Sequence, residues 1–274
     1  MNGFSLSGVQ ADQQLARALA EQAGQMLLRL QSEAVRDHVP AHTLKDLGDA
    51  SSEKMLSTWL HEARPADAIL SEEAQDSSRR LGASRVWIID PLDGTKEFSE
   101  GRSDWAVHVA LWNSGELTAG AVALPGLGTV LDSGTPLPER RDPSKPFRLA
   151  VSRSRPSPLA EALASIMNAE LVPMGSAGYK AGAVIRGEAD AYLHSGGQYE
   201  WDSAAPVAVA MSLGFHASRI DGTPLCYNQP DPYLPDLLLC HQENAGEMLE
   251  SIDLLLKTNN TRPNGLFMDG MYQR

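Results

Sequence analysis

Cysteine is nearly absent from this 274-residue chain: Cys226 and Cys240 are the only two, far apart and with no Cys-x-x-Cys at either. That excludes a disulfide framework and a zinc ribbon, and both residues read as small buried apolar side chains. Basic residues are outnumbered, 23 Lys and Arg against 35 Asp and Glu, for a formal charge of −12. A surface of that sign repels polyphosphate backbones, which excludes nucleic acid as the main partner. Long apolar runs are missing too, each interrupted by a residue such as His108 or Pro125, and no basic segment leading into an apolar one opens the chain. Neither a membrane span nor an export signal is expected, and the expected compartment is the cytoplasm. No internal repeat is visible.

What is present is ordinary globular usage, 42% apolar and 21% charged, which fits neither a disordered chain nor a fibre. Leu15, Leu19, Met26 and Leu30 recur at spacings of four and seven and predict a first helix over residues 9–30. Ser51 or Ser52 as cap, then Met55, Leu56, Trp59 and Leu60 on one side, predict a second that stops before Pro65. Residues 86–89, Val-Trp-Ile-Ile, form a β-branched and aromatic run that breaks at Asp90-Pro91, as a buried strand does. Residues 106–112 and 117–124 read as two strands joined by Asn113-Ser114-Gly115-Glu116, which is hairpin turn chemistry, so the first half carries an antiparallel sheet.

The Pro-, Ser- and charge-rich stretch 132–146 marks a boundary between two domains, residues 1–145 and 146–274. Beyond it strands at 147–152, 170–174 and 189–194 alternate with helices at 159–167, 178–186 and 203–213, an α/β layer pattern. Asp202 reads as the N-cap of the last helix, and the polar tail from Lys257 reads as a candidate disordered end.

Chemistry concentrates in Asp90-Pro91-Leu92-Asp93-Gly94-Thr95, directly after the buried strand. Two carboxylates three residues apart across a proline-stiffened turn, with the Leu92 carbonyl between them, are the hard oxygen set a divalent cation takes. Gly94 and Thr95 follow at what reads as a helix start, where backbone N–H groups favour a phosphate. Asp-Pro and Asp-Gly are also common turn dipeptides, and Asp93 capping a helix is the plain alternative. Two other acidic positions stand apart: Glu72-Glu73 after a short apolar run, and Trp201-Asp202 opening a helix.

Taken together, Glu72-Glu73, Asp90 to Thr95, and Trp201-Asp202-Ser203-Ala204-Ala205 resemble the acidic pair, the DPxDGT and the WDxAA motifs of the lithium-sensitive, magnesium-dependent phosphomonoesterases. That family includes inositol monophosphatase, fructose bisphosphatase and the bisphosphate nucleotidases, and the resemblance runs from about residue 10 to about 240. It implies an α/β (α+β layered) fold, an αβαβα sandwich. Lys96-Glu97-Phe98 after DGT, Gly175-Ser176-Ala177-Gly178-Tyr179-Lys180, Pro206 after WDSAA, and Asp221-Gly222-Thr223-Pro224-Leu225 leading to Tyr227-Asn228 look like the CysQ branch, which acts on 3'-phosphoadenosine 5'-phosphate.

The resemblance implies roles residue by residue. Glu72, Asp90 and the Leu92 carbonyl would hold one Mg²⁺; Asp90, Asp93 and Asp202 would hold a second, with Asp90 bridging, and Glu72 would touch a weaker third ion. Asp49 stands where the family has the Asp of a Thr-x-x-Asp motif and would pair with Thr95 to orient the attacking water, although Asp46 replaces the motif's threonine. Helix capping is the alternative reading of Asp49. Leu92, Asp93, Gly94, Thr95 and Asp202 would line the scissile phosphate, Gly175 and Ser176 the ribose or a second phosphate. Lys180 reads either as a partner of the 5'-phosphate or as a solvated helix lysine. No acid precedes WD at the place of the inositol enzymes' sugar-binding Glu. His108, in an apolar alternating strand, reads as a satisfied structural histidine.

The expected activity is therefore Mg²⁺-dependent hydrolysis of the 3'-phosphate of 3'-phosphoadenosine 5'-phosphate by water, without a phosphoenzyme and linked to sulfate assimilation. Alternatives are inositol monophosphatase or fructose-1,6-bisphosphatase activity at the same site, and a non-catalytic nucleotide sensor. The family implies homodimers in some members and monomers in others.

Overall fold

A computed structural model describes residues 8–139 and 142–260 of the chain. Two long helices come first, α1 (Gly8–Arg36) and α2 (Ala41–Ala63). The first sheet follows: β1 (Ala68–Ser71), β2 (Arg85–Asp93), the short α3 (Thr95–Ser99), then β3 (Ala106–Asn113), β4 (Glu116–Leu124) and β5 (Thr129–Leu131). Its strands lie in sequence order, β1 parallel to β2 and the rest antiparallel. The second half supplies β6 (Arg148–Ser152), α4 (Pro158–Met167), β7 (Glu170–Met174), α5 (Ala177–Ile185), β8 (Ala191–Tyr199), α6 (Glu200–Ser212), β9 (Phe215–Ser218), β10 (Tyr233–His241) and α7 (Ala245–Asn260). Their sheet has the order β7-β6-β8-β10-β9.

Strand alternation builds the layers. Along β2 and β3, Trp87, Ile89, Val107, Val109 and Leu111 face α1 and α2. The intervening Val86, Ile88, Ala106 and Ala110 face inward, onto a middle layer made of α5 and α6. Ala150, Tyr192, Leu237 and Leu239 of the second sheet close that layer from the other side. Leu149, Val151, Leu193 and Leu238 on the opposite face receive α4 and α7 through Leu163, Met248 and Ile252. Each such aliphatic side chain removed from water contributes about 1.5–3 kcal/mol. The order is helix, sheet, helix, sheet, helix, as the motif resemblance implied.

Several local expectations need correction. α2 begins at Ala41, directly after Pro40, so Ser51 and Ser52 lie mid-helix. Ser52 is buried and its hydroxyl donates to the Pro91 carbonyl at 2.6 Å, a partner 39 residues away that overrides its capping preference. α6 begins at Glu200, which makes Asp202 the third residue of its first turn and not the cap. β8 continues through Gly196 and Gly197 to Tyr199, because β10 pairs with it along that length. Strands β1, β5, β9 and β10 and helix α7 had no strong local signal. Cys240 is buried as expected, whereas Cys226 is exposed. α7 carries the chain past Lys257 to Asn260; the remainder of the polar tail lies outside the described residues. Among those residues no helix is long and apolar enough to cross a membrane.

Candidate active site

Two parallel strand ends start the site. β1 and β2 run side by side with Ser71 opposite Ile89, so Glu72, the first residue after β1, emerges beside Asp90, the next residue of β2. β2 then carries a bulge: Asp90 pairs with His108 and Asp93 with Ala106, three steps on one strand against two on its partner. Simple alternation would send Asp90 and Asp93 to opposite faces; the extra residue brings Asp93 back to the face of Asp90 and His108. Pro91 sits in the bulge, where no ladder N–H is needed. The Asp90 carboxylate accepts from the Leu92 amide at 3.0 Å, and Ser52 of α2 holds the Pro91 carbonyl from behind.

Asp93 is tied across the layers. Its oxygens accept from the Ala177 amide at 3.1 Å and the Gly178 amide at 2.5 Å, both at the N-terminus of α5. His108 Nε2 lies 3.3 Å from Asp93 Oδ2, off hydrogen-bond geometry, while its Nδ1 is 3.0 Å from the Trp201 carbonyl and must donate to it. Burial is the largest influence on His108 and pulls its pKa down, but Asp93, the Trp201 carbonyl and Asp202 together leave it raised. For Asp93, burial raises the pKa, and the charges of His108 and Lys180 together with the Gly178 amide bring it net below the ordinary range. His108 is therefore more than the structural histidine expected: one nitrogen is satisfied by backbone and the other addresses a site carboxylate.

Asp202 completes the cluster from α6, where its carboxylate accepts from the Tyr199 amide at 2.7 Å. Asp90, Asp93 and Asp202 each offer an oxygen, and these lie within 4.8 Å of one another. Glu72 is an exposed residue whose carboxylate end reaches back to Asp90, close enough to hydrogen-bond it. Like charges packed together resist ionising. Burial, then Asp202, Glu73 and Asp93, lift Glu72 to about 7. Burial and Asp93 lift Asp202 to about 6, and Asp90, fully enclosed beside Glu72, is raised well above its usual range. Such a set is short of cations, and hard oxygens converging this closely fit a divalent ion.

On the other flank, Asp49 in α2 is buried and raised to about 6, chiefly by burial and then by Glu73. The Thr95 hydroxyl faces it, and in this structure also reaches the Leu92 carbonyl at 3.2 Å. Asp49 thus sits in mid-helix, away from any cap. Gly94 has φ +89, a backbone state that favours glycine, and a Cβ there would meet Ser176 at 2.7 Å. The turn after Asp93 therefore abuts the turn before α5.

The groups of that second turn have internal partners. The Ser176 hydroxyl caps α5 by accepting from the Tyr179 amide at 3.2 Å, and the Ser176 amide donates to the Asp104 carbonyl at 3.1 Å. Lys180 is only 4% exposed, and its Nζ donates to the carbonyls of Gly175 and Ser176. The solvated-lysine reading is thus overturned. Burial pulls Lys180 down to about 8, against the neighbouring charge of Asp93, and its residual positive charge sits behind the acidic cluster. Residue type alone could not reveal this.

One more group ties the two halves. Arg80, buried in the connection that follows Glu72, forks onto Asp76 at 2.7 and 2.9 Å and donates to Asn228 Oδ1 and the Gln229 carbonyl at 2.8 and 2.9 Å. Glu200 accepts the Asn228 and Gln229 amides at 2.6 and 2.7 Å, so the Glu72 loop and the Asp202 helix share one hydrogen-bonded frame. A cavity of about 360 Å³, lined by Gln13, Leu117, Gly120 and Ala208 among others, includes none of the acidic residues.

Residues 9–254 match the model of the inositol monophosphatase family. The chain is 48% identical over 239 residues, 84% of its length and 89% of the relative's, to the 3'-phosphoadenosine 5'-phosphate phosphatase of Mycobacterium bovis. It is 30% identical to the 3'(2'),5'-bisphosphate nucleotidase CysQ of Escherichia coli over 68% of this chain and 80% of that one. The crystal structure of CysQ from Bacteroides thetaiotaomicron shares the fold, with TM-score 0.71 and 24% identity over 88% of this chain and 99% of that one.

Proposed function

Because the chain belongs to the inositol monophosphatase family and is a phosphoric monoester hydrolase, we propose that it is a Mg²⁺-dependent 3'-phosphoadenosine 5'-phosphate phosphatase, releasing AMP and phosphate. The observation that carries this is the convergence of Asp90, Asp93 and Asp202 within 4.8 Å beside the Gly94-Thr95 turn; the choice of substrate rests on the 48% identity to the phosphatase from Mycobacterium bovis. Such an activity would place the protein in sulfate assimilation.

Glu72, Asp90 and the Leu92 carbonyl would hold one Mg²⁺, and Asp90, Asp93 and Asp202 a second. Bound there, the ions supply charge neutralisation for the phosphate dianion and its leaving alkoxide. The chain's own groups do the positioning. Gly94 and Thr95 present backbone N–H groups to the scissile phosphate, as a helix start does. Asp49, at about 6, is tuned to take a proton near neutral pH, and Thr95 beside it orients the water that gives that proton up. Asp93, with both oxygens held by α5 amides, is oriented as a ligand and not as a nucleophile, which supports direct in-line displacement by water.

The test compares kcat/KM with Mg²⁺ for 3'-phosphoadenosine 5'-phosphate, inositol 1-phosphate and fructose 1,6-bisphosphate. A preference of about 10²-fold for the nucleotide is expected. Preference for inositol 1-phosphate would overturn the assignment.

The raised carboxylates add a pH expectation. Glu72 and Asp202 have folded values of about 7 and about 6 against ordinary values of 4.5 and 3.8. A raised folded pKa stabilises fully below the ordinary value, and that contribution is lost as pH rises through the folded one. Metal-free protein should therefore lose Tm between about pH 5 and about pH 8, with the cluster titrating as a unit. Mg²⁺ displaces those protons, so its apparent affinity should weaken about tenfold for each pH unit that the pH falls below those folded values, per proton displaced. Calorimetric titration at several pH values checks this; an Mg²⁺ affinity independent of pH would contradict it.

A further inference from the structure

An aromatic array stands at the rim of the cluster and has no part in the chemistry above. Tyr199 stacks on Trp201, ring centres 4.8 Å apart and planes 9° from parallel. Tyr233, opposite Tyr199 in the β8–β10 register, meets it edge-on at 5.9 Å and 80°. Both tyrosines are substantially exposed, 45% for Tyr199 and 40% for Tyr233, whereas Trp201 is half-buried against the middle layer. The Tyr199 ring is thus braced from beneath and from the side and remains open to solvent.

Its position relative to the chemistry is set by one bond: the Tyr199 amide donates to the Asp202 carboxylate at 2.7 Å. The ring projects from the residue whose backbone orients a site carboxylate, so a phosphate ester at the cluster would carry its organic part past this array. A flat, uncharged π-system suits it best. Such a group stacks on an aromatic face, and being neutral it is not repelled by a −12 chain. A polyol would want hydrogen-bonding side chains here, but in the stretch before Trp201-Asp202 the Gln198 amide turns to the Tyr192 hydroxyl and Glu200 holds the Asn228 and Gln229 amides.

We propose that Tyr199, braced by Trp201 and Tyr233, is the platform on which the base of a purine nucleotide substrate stacks, and so a specificity-determining residue. This rests on the nucleotide reading of the site. Stacking on one aromatic side chain corresponds to about a tenfold change in binding.

The experiment has two arms. In turnover, Tyr199→Ala should lower kcat/KM for 3'-phosphoadenosine 5'-phosphate about tenfold more than for p-nitrophenyl phosphate, through KM and not kcat, with Tyr199→Phe restoring most of the loss. In binding, AMP should quench tryptophan fluorescence, and Tyr199→Ala or Tyr233→Ala should weaken its Kd, about tenfold for the former. Equal losses on both esters, or AMP binding unchanged in Tyr199→Ala, would overturn the platform even if the unaltered enzyme prefers the nucleotide. A preference for inositol 1-phosphate in the unaltered enzyme, with AMP binding still dependent on Tyr199, would overturn the proposed substrate and leave the platform.

Discussion

Asp93→Asn should lower Mg²⁺-dependent phosphate release by about 10³-fold, the loss expected when several kcal/mol of charge stabilisation are removed from the transition state. The side chain keeps its size but loses its charge and one acceptor. Asp93 now accepts amides on both oxygens, from Ala177 and Gly178, and faces His108 with Oδ2. An amide group retains one oxygen, so its NH₂ must oppose either the Ala177 or the Gly178 amide, a donor against a donor. A titration of Mg²⁺ binding separates this from global unfolding: the variant should melt cooperatively yet bind Mg²⁺ weakly. Phosphate release at the unaltered rate would refute the metal role of Asp93.

The second large effect is expected at Gly178. A Cβ built there would lie 1.9 Å from His108 Nε2 and 2.9 Å from Asp93 Oδ2, and His108 is fully buried with its Nδ1 held by the Trp201 carbonyl. Gly178→Ala must therefore push α5 off the sheet, costing about 1–3 kcal/mol of stability as overpacking does. It should also lengthen the amide bonds that orient Asp93 and cut activity by about 10²-fold, as loss of the groups that support a ligand does. Removing the obstacle gives the control. Gly178→Ala combined with His108→Ala should recover part of the Tm loss, because the two substitutions share one contact and are non-additive. A Gly178→Ala protein with unchanged Tm and unchanged Mg²⁺ affinity would show that α5 does not hold Asp93.

Much of the fold was legible because its cues are local. A β-branched run stopped by Asp-Pro marks a buried strand, Ser114-Gly115 marks a hairpin, and alternating segments after residue 146 mark a layered second half. Where local cues misled, the side chain had taken a partner other than the one its residue type suggests. Ser52 satisfies Pro91 and not a helix start; Asp202 serves the Tyr199 amide from within the first turn; Lys180 turns inward to carbonyls of its own turn. His108 looked like a core histidine by its neighbours in the strand, and only the register of β2 against β3 reveals what its ring faces.

Chain chemistry read locally is sufficient for the layered fold class and for the acidic motifs, since strand, turn and helix preferences act over a few residues and the motifs keep their order along the chain. Packing in three dimensions alone sets which oxygens converge. Asp93 meets the α5 amides 84 and 85 residues away, and His108 meets Trp201 across 93, contacts that no local preference encodes. They form because a strand bulge turns Asp93 toward the middle helical layer, and burying that layer between two sheets brings α5, α6 and the first sheet's inner face to one place.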